Sequence, residues 1–334
     1  MSTNPGSLPL PATSLSSKGG RYFMNSTGTI LTSYALYLVV SVSSTFINKL
    51  LFTFSEYKFP YPFFTVFFQL IVTFIFLTLW SIIKPLRQSY ARIPVLRWDS
   101  SVAIRVAPLT IVYMCVIIFN PMFLQHVEVT SYHFSHSLSI VFSMMFSYLM
   151  LRVETSPRVK SACIIILFGT CISSMGYLSF SLVGAFYAVA WPTVVSIYGI
   201  YLKKTLTSLK NDFWCVIQYN TLMSIVILTP LVVLSGELRD IFTTVWFWDE
   251  FGFWLQMIIT SITGFCINAS MLLLLMYTSP LTATVASTTK TIVQTFVATL
   301  IFGNRMSLLN VIGLVVALIG SGYFAYLRSG ELKL

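Results

Sequence analysis

Ten apolar runs, each about long enough to cross a bilayer, dominate the chain. They span roughly residues 30–51, 61–83, 102–124, 131–151, 161–178, 182–202, 213–234, 253–277, 282–302 and 307–327. A hydrocarbon core of about 30 Å takes about 20 residues of helix. The expected fold is therefore an all-α polytopic membrane protein with ten transmembrane helices. Fusion of either closely spaced pair, 161–178 with 182–202 or 253–277 with 282–302, would leave nine. Charged residues are 9% of the chain, against about 25% in a soluble domain. That leaves too little polar surface to face water all round.

The loops set the orientation. With the amino terminus inside, the inner segments hold fourteen of the twenty lysines and arginines, and the outer loops hold Lys58, Arg239 and Arg305. This positive-inside bias puts both termini in the cytosol. It also accounts for the net charge of +10, which is not read as nucleic-acid binding. Residues 1–28, rich in serine and proline, are expected to be a disordered basic tail, and residues 329–334 a short cytosolic tail.

Three basic residues remain inside apolar runs: Lys49, Arg105 and Lys290. All ten acids fall in loops or at run ends, so the charge within the membrane is positive and unneutralised. Lys49 and Arg105 lie near run ends and can snorkel to the interface. Lys290 lies eight residues into its run, about 12 Å deep at 1.5 Å per residue. A lysine near the bilayer centre costs about 2.5–3.5 kcal/mol and usually faces a water-filled cavity. A cavity with cations and no acids suits an anion, and exchange of one anion for another. It supplies no acid–base pair or buried nucleophile, so an enzyme is not expected. No cofactor is implied. His133 and His136 lack a third ligand for a metal. The five cysteines lie in apolar runs without C-x-x-C spacing and read as packing residues.

Residues 131–156 and 285–307 resemble each other at an offset of 154, which lays Ser135-His136-Ser137 over Thr289-Lys290-Thr291. Five spans per half is odd, so the second half would insert upside down. Two inverted five-helix repeats are therefore expected, 29–178 and 179–328, as in alternating-access carriers with a midplane site. His136 becomes the pseudo-symmetric mate of Lys290. Gly169, Ser173 and Gly176, with Gly313, Ala317 and Gly320, suit close helix packing.

Four stretches carry a family likeness: INKLLF at 47–52, the run 119–151, IYLKKTL at 200–206 with QYNTLMS at 218–224, and YTSPLTATVASTTKTIVQT at 277–295. Here the chain resembles the nucleotide-sugar and triose-phosphate transporters of the drug/metabolite transporter superfamily, and among them the GDP-fucose carriers. The resemblance implies antiport of a cytosolic nucleotide sugar for a lumenal nucleoside monophosphate, in the Golgi membrane or that of the endoplasmic reticulum. GDP-fucose is the leading candidate. GDP-mannose, a UDP-sugar, another phosphorylated metabolite, or a carrier-derived protein that no longer transports are the alternatives. Membrane lipid and a second copy of the chain are the other candidate partners.

By the same resemblance Lys290, beside Thr289, would neutralise phosphate, with His136 and Lys49 assisting. Tyr219 and Asn220 match the Tyr-Asn of a guanine-reading Phe-Tyr-Asn-Asn motif, and Ser224 matches the serine that closes its longer form. Asn120, Asn268, Ser270 and Tyr277 would face the sugar. The chain departs from the pattern at Gln218 and Thr221, which replace Phe and the second Asn. It departs again at His136, where GDP-fucose carriers have arginine. Thr291 follows Lys290 where triose-phosphate translocators have arginine, which argues against a three-carbon phosphate.

Overall fold

The computed structural model describes residues 27–54, 57, 59–83, 98–126, 129–175, 182–302 and 307–331. These residues form eleven helices: α1 (Thr27–Phe54), α2 (Pro62–Ile83), α3 (Ser100–His126), α4 (Val129–Leu151), α5 (Pro157–Ser174), α6 (Leu182–Ser208), α7 (Phe213–Leu234), α8 (Glu237–Thr244), α9 (Phe251–Tyr277), α10 (Pro280–Phe302) and α11 (Leu308–Glu331). Residues 1–26, the expected division between halves at 178–179, and the side chains of Lys49 and His133 lie outside the described residues.

Local chemistry sets the helix boundaries. Pro62, Pro157 and Pro280 each begin a helix, where a missing N–H costs nothing. Ser156 caps α5 by accepting from the Val159 amide, and Asp212 caps α7 by accepting from the Cys215 amide. Lys210 and Asn211 adopt positive φ (56° and 59°) in the turn between α6 and α7. The pair 253–277 and 282–302 separates because Thr278 is extended and the Ser279 hydroxyl accepts from the Thr282 amide. Arg328, near the end of α11, donates to the same Ser279 hydroxyl at 3.2 Å.

Helix α8 falls between two of the expected spans. Its Glu237 carboxylate accepts from the amides of Phe63 and Phe64 at 3.2 and 2.7 Å, capping α2 from another part of the chain. Burial nevertheless pushes the Glu237 carboxyl above the usual carboxylate range, because desolvation outweighs those two bonds.

Large apolar side chains such as Ile104, Phe168, Phe186 and Val226 point outward and are more than 60% exposed. Such a surface belongs in lipid, and the chain is a multi-pass α-helical membrane protein. Among the described residues nine helices are long and apolar enough to cross a membrane. Helix α10, at 23 residues, has the length of a span and carries a run of threonines with Ser287, Lys290 and Gln294. It packs against α1, α4, α6, α9 and α11, and Leu281–Ala286 are buried. The hydroxyls of Thr284, Thr288, Thr289, Thr291 and Thr295 each donate to the carbonyl one turn back.

The other main contacts set α3 and α4 against α6, α1 against α9, α2 against α7 and α9, α3 against α7, and α5 against α4 and α11. The α5–α11 contact is the tightest. A Cβ built on Gly169 would lie 2.5 Å from the Ala317 amide nitrogen, and one on Gly313 would overlap the Ser173 backbone. The small residues there set the backbone approach.

Candidate functional site

Two polar regions lie in the bundle. The first surrounds Lys290 on α10. Ser287 and Lys290 are three residues apart and share a helix face. Ser287 meets His136 of α4, with Oγ 3.4 Å from Nε2, and also interacts with the Tyr37 hydroxyl of α1. Thr289 and Tyr34 share a hydroxyl–hydroxyl bond of 3.0 Å. The His136 ring leans on Trp191 of α6, with centroids 5.3 Å apart. His136, Tyr34, Tyr37 and Thr289 are buried, and Lys290 is half-buried.

The Lys290 ammonium has no hydrogen-bond or ion-pair partner among the described residues. A charge partly withdrawn from water and left so is disfavoured unless a ligand or water meets it. Neighbouring serines of α4 are engaged elsewhere. Ser135 donates to the Ala188 carbonyl, Thr170 donates to Ser137, and the Ser139 carbonyl accepts from Ser196. These bonds fix α4 against α5 and α6 and aim His136 at α10.

The second region is a small, partly open cleft of about 50 Å³ between α2, α3, α6, α7 and α9. Its polar lining is Thr73, Tyr113, Tyr198, Asn220, Thr221 and Asn268. The Tyr113 and Tyr198 rings lie 5.6 Å apart, and Tyr113 interacts with Asn268. Thr110 Oγ1 donates to Asn220 Oδ1 at 3.1 Å. Its aromatic walls and carboxamides offer stacking faces and hydrogen-bonding groups.

The sequence-derived residues thus divide. His136 meets Ser287, one turn before Lys290 on α10, Thr289 meets Tyr34, and Asn220 and Asn268 share the cleft. Tyr219 turns away from it. Its hydroxyl accepts from the Asp99 amide at 2.9 Å, its ring stacks on Trp98, and its side chain is buried in an apolar cluster of α1, α3, α6, α7, α9 and α10. Asp99 in turn accepts from the Ser101 amide, which holds its carboxyl below the usual carboxylate range. Ser224 is fully buried, and its hydroxyl has no partner among the described residues. Ser270 donates to the Ile267 carbonyl within its own helix. Asn120 near the end of α3 and Tyr277 at the end of α9 are half-buried.

Lys203, expected in an inner loop, sits in the last turns of α6 and donates to the Leu275 carbonyl at 2.7 Å, closing the end of α9. Tyr34, Tyr37, Thr110 and Tyr113 were not legible as site residues. A hydroxyl on an apolar helix usually bonds its own backbone, and only the neighbouring helices reveal another partner.

A profile of the Triose-phosphate Transporter family matches residues 29–326. The chain belongs to that family. It is 32% identical over 309 residues to "GDP-fucose transporter 1" of Dictyostelium discoideum, covering 92% of this chain and 83% of the relative. It is 31% identical over 325 residues to "GDP-fucose transporter 1" of Mus musculus, covering 95% and 88%. The "UDP-sugar transporter sqv-7" of Caenorhabditis elegans is 25% identical over 297 residues, covering 88% and 87%. One solved crystal structure superposes with a TM-score of 0.63 at 14% identity, covering 91% of this chain and 99% of that one. That likeness establishes a shared fold.

Proposed function

We propose that the protein is a nucleotide-sugar antiporter of the Golgi membrane, exchanging cytosolic GDP-fucose for a lumenal nucleoside monophosphate by alternating access. The observation that carries this reading is the Lys290 ammonium within the bundle, which has no hydrogen-bond or ion-pair partner among the described residues. A diphosphate or monophosphate supplies the countercharge that the described residues do not, so each half of the exchange cycle brings an anion to the same cation. The GDP-fucose relatives supply the choice of sugar and of membrane. The weaker likeness to a UDP-sugar carrier keeps a uridine nucleotide as the second reading.

In this scheme α10 is the tenth span, packed on α1, α4, α6, α9 and α11. Lys290 binds phosphate, with His136 beside it. Asn220 and Asn268 hold the base in the cleft between α7 and α9. The inverted repeat is supported by the helix contacts. Pairing α1 with α6, α2 with α7, α3 with α9, α4 with α10 and α5 with α11 turns the α3–α6 contact into α9–α1. It likewise turns α4–α6 into α10–α1, α2–α9 into α7–α3, and α4–α5 into α10–α11, all of which are present. With both termini cytosolic, the apolar cluster around Tyr219 and the start of α3 plugs the cytosolic end, and the halves rock about the midplane.

The test is exchange in proteoliposomes loaded with GMP and given labelled GDP-fucose, UDP-sugars or no nucleotide sugar outside. GDP-fucose is expected to enter only against internal GMP, and Lys290→Ala to abolish entry. Exchange of UDP-sugars alone selects the second reading. Full activity of Lys290→Ala, or no exchange of any nucleotide sugar, overturns the scheme.

A further inference from the structure

We propose that helix α8 lies in the membrane interface, with Phe242, Trp246 and Phe251 seated among the lipid headgroups of one leaflet, the lumenal one in the proposed orientation. Three span ends fix its level. Helix α7 ends at Leu234, α8 begins at Glu237, and α9 begins at Phe251. The segment therefore starts and finishes where a span meets the membrane surface. Gly236, at φ 79°, separates α8 from α7. The Glu237 carboxylate then holds the amides of Phe63 and Phe64 in the first turn of α2. Thr244, at the other end of α8, shares a hydroxyl–hydroxyl bond of 2.9 Å with Tyr61, just before α2. Both ends of α8 are tied to the same end of α2, so it lies across the bundle rather than continuing α7.

Successive residues of a helix point about 100° apart. Ile241 is buried in the aromatic cluster of Phe59, Phe247 and Phe253, so its neighbour Phe242 falls on the flank of α8 and is 72% exposed. Trp246 and Phe251 are 73% and 78% exposed. Three large aromatic side chains bared so close together mark a surface that something apolar covers. The surroundings select lipid. Phe251 opens a stripe on α9 with Leu255, Ile258 and Ile262, all exposed and spaced along one helix face. Val233 and Leu234, at the end of α7, are exposed as well. The aromatic patch thus continues the lipid-facing surface of the bundle to its edge. Trp246 supplies the polar contact suited to that edge. Trp254 donates its Nε1 to the Trp248 carbonyl at 2.9 Å, whereas Trp246 Nε1 has no hydrogen-bond partner among the described residues. An indole with an apolar ring and an unspent N–H gathers at headgroup level, where phosphate and ester oxygens accept it. Arg239, Asp240 and Thr243 are exposed and form the side of α8 turned to water.

The experiment reads tryptophan fluorescence of the full-length protein in liposomes. The Trp246 signal is the difference between wild type and Trp246→Phe. Three quenchers are compared: phospholipid brominated high on the acyl chain, phospholipid brominated near the chain methyl, and iodide on both sides of the membrane. The upper bromines are expected to quench this signal about twofold or more, and the lower bromines and iodide much less, since an interfacial aromatic sits about 5–10 Å into the boundary of headgroups and acyl chains. Phe242→Trp in the otherwise native chain adds an indole on α8 itself, and the added signal should follow the same order. That variant decides if Trp246→Phe fails to fold. Quenching by iodide in preference to lipid places α8 in water and overturns the proposal. Strongest quenching by the lower bromines overturns it too, because the patch then belongs to the depth of a span. No quenching by any of the three overturns it in favour of a protein cover, such as a second copy of the chain.

Discussion

The α5–α11 and α4–α10 contacts occupy the same central bundle, but their chemistry differs. Where α5 meets α11, glycine backbones touch and nothing larger than hydrogen fits. Where α4 meets α10, Ser143 and Thr284 hydroxyls lie 3.2 Å apart, and His136 faces Ser287. Glycine contacts bring dispersion and rigidity. Hydroxyl and imidazole contacts are directional, and Lys290 lies one turn beyond Ser287. The difference teaches that one seam is closed by shape alone, while the other is joined by polar groups, where the proposed anion site lies.

Four experiments break or sharpen that contrast. Lys290→Ala should lower nucleotide-sugar exchange about a hundredfold or more, since it removes the charged partner of a phosphate. The melting temperature should hold or rise, because an uncompensated buried charge is gone. A drop in both together would merge the two seams into one structural role. Gly313→Leu should do the opposite, costing about 2 kcal/mol or more of stability by overpacking against the Ser173 backbone. Thermal unfolding in detergent measures it, and a melting temperature equal to wild type would refute the tight seam.

His136→Ala should reduce exchange about tenfold, the loss of one hydrogen-bonding partner near the phosphate, with little change in melting. The smallest effect belongs to Glu237, outside both seams. Its folded-state pKa is raised, so its contribution to stability is present below the unfolded carboxylate pKa and is lost as pH rises through the folded value. Wild type should therefore soften slightly across that window, and Glu237→Gln should remove this slope. Melting curves taken from acid to neutral pH compare the two.

Much of this organisation was legible in the sequence. Run length located the nine spans seen among the described residues, and Ser279-Pro280 marked the boundary between α9 and α10. Lys290 stood out because a lone lysine at depth has few innocent explanations. The glycines of α5 and α11 also read correctly as packing residues. Other features needed the neighbours. The motif-based pairing of Tyr219 with Asn220 overlooks that successive helical residues point about 100° apart, so one faces the cleft and the other the Trp98 cluster. Helix α8 is short and its apolar face meets aromatic residues far along the chain, so no membrane-length run announced it. Thr110 is chemically unremarkable until α7 is placed beside it.

The polarity of α10 bears finally on how the protein is made. Lys290 lies in the middle of α10, and a lysine near the bilayer centre costs about 2.5–3.5 kcal/mol. That cost is relieved where the helix packs on α1, α4, α6, α9 and α11. Insertion of this segment is therefore coupled to its assembly with helices that come both before and after it in the chain.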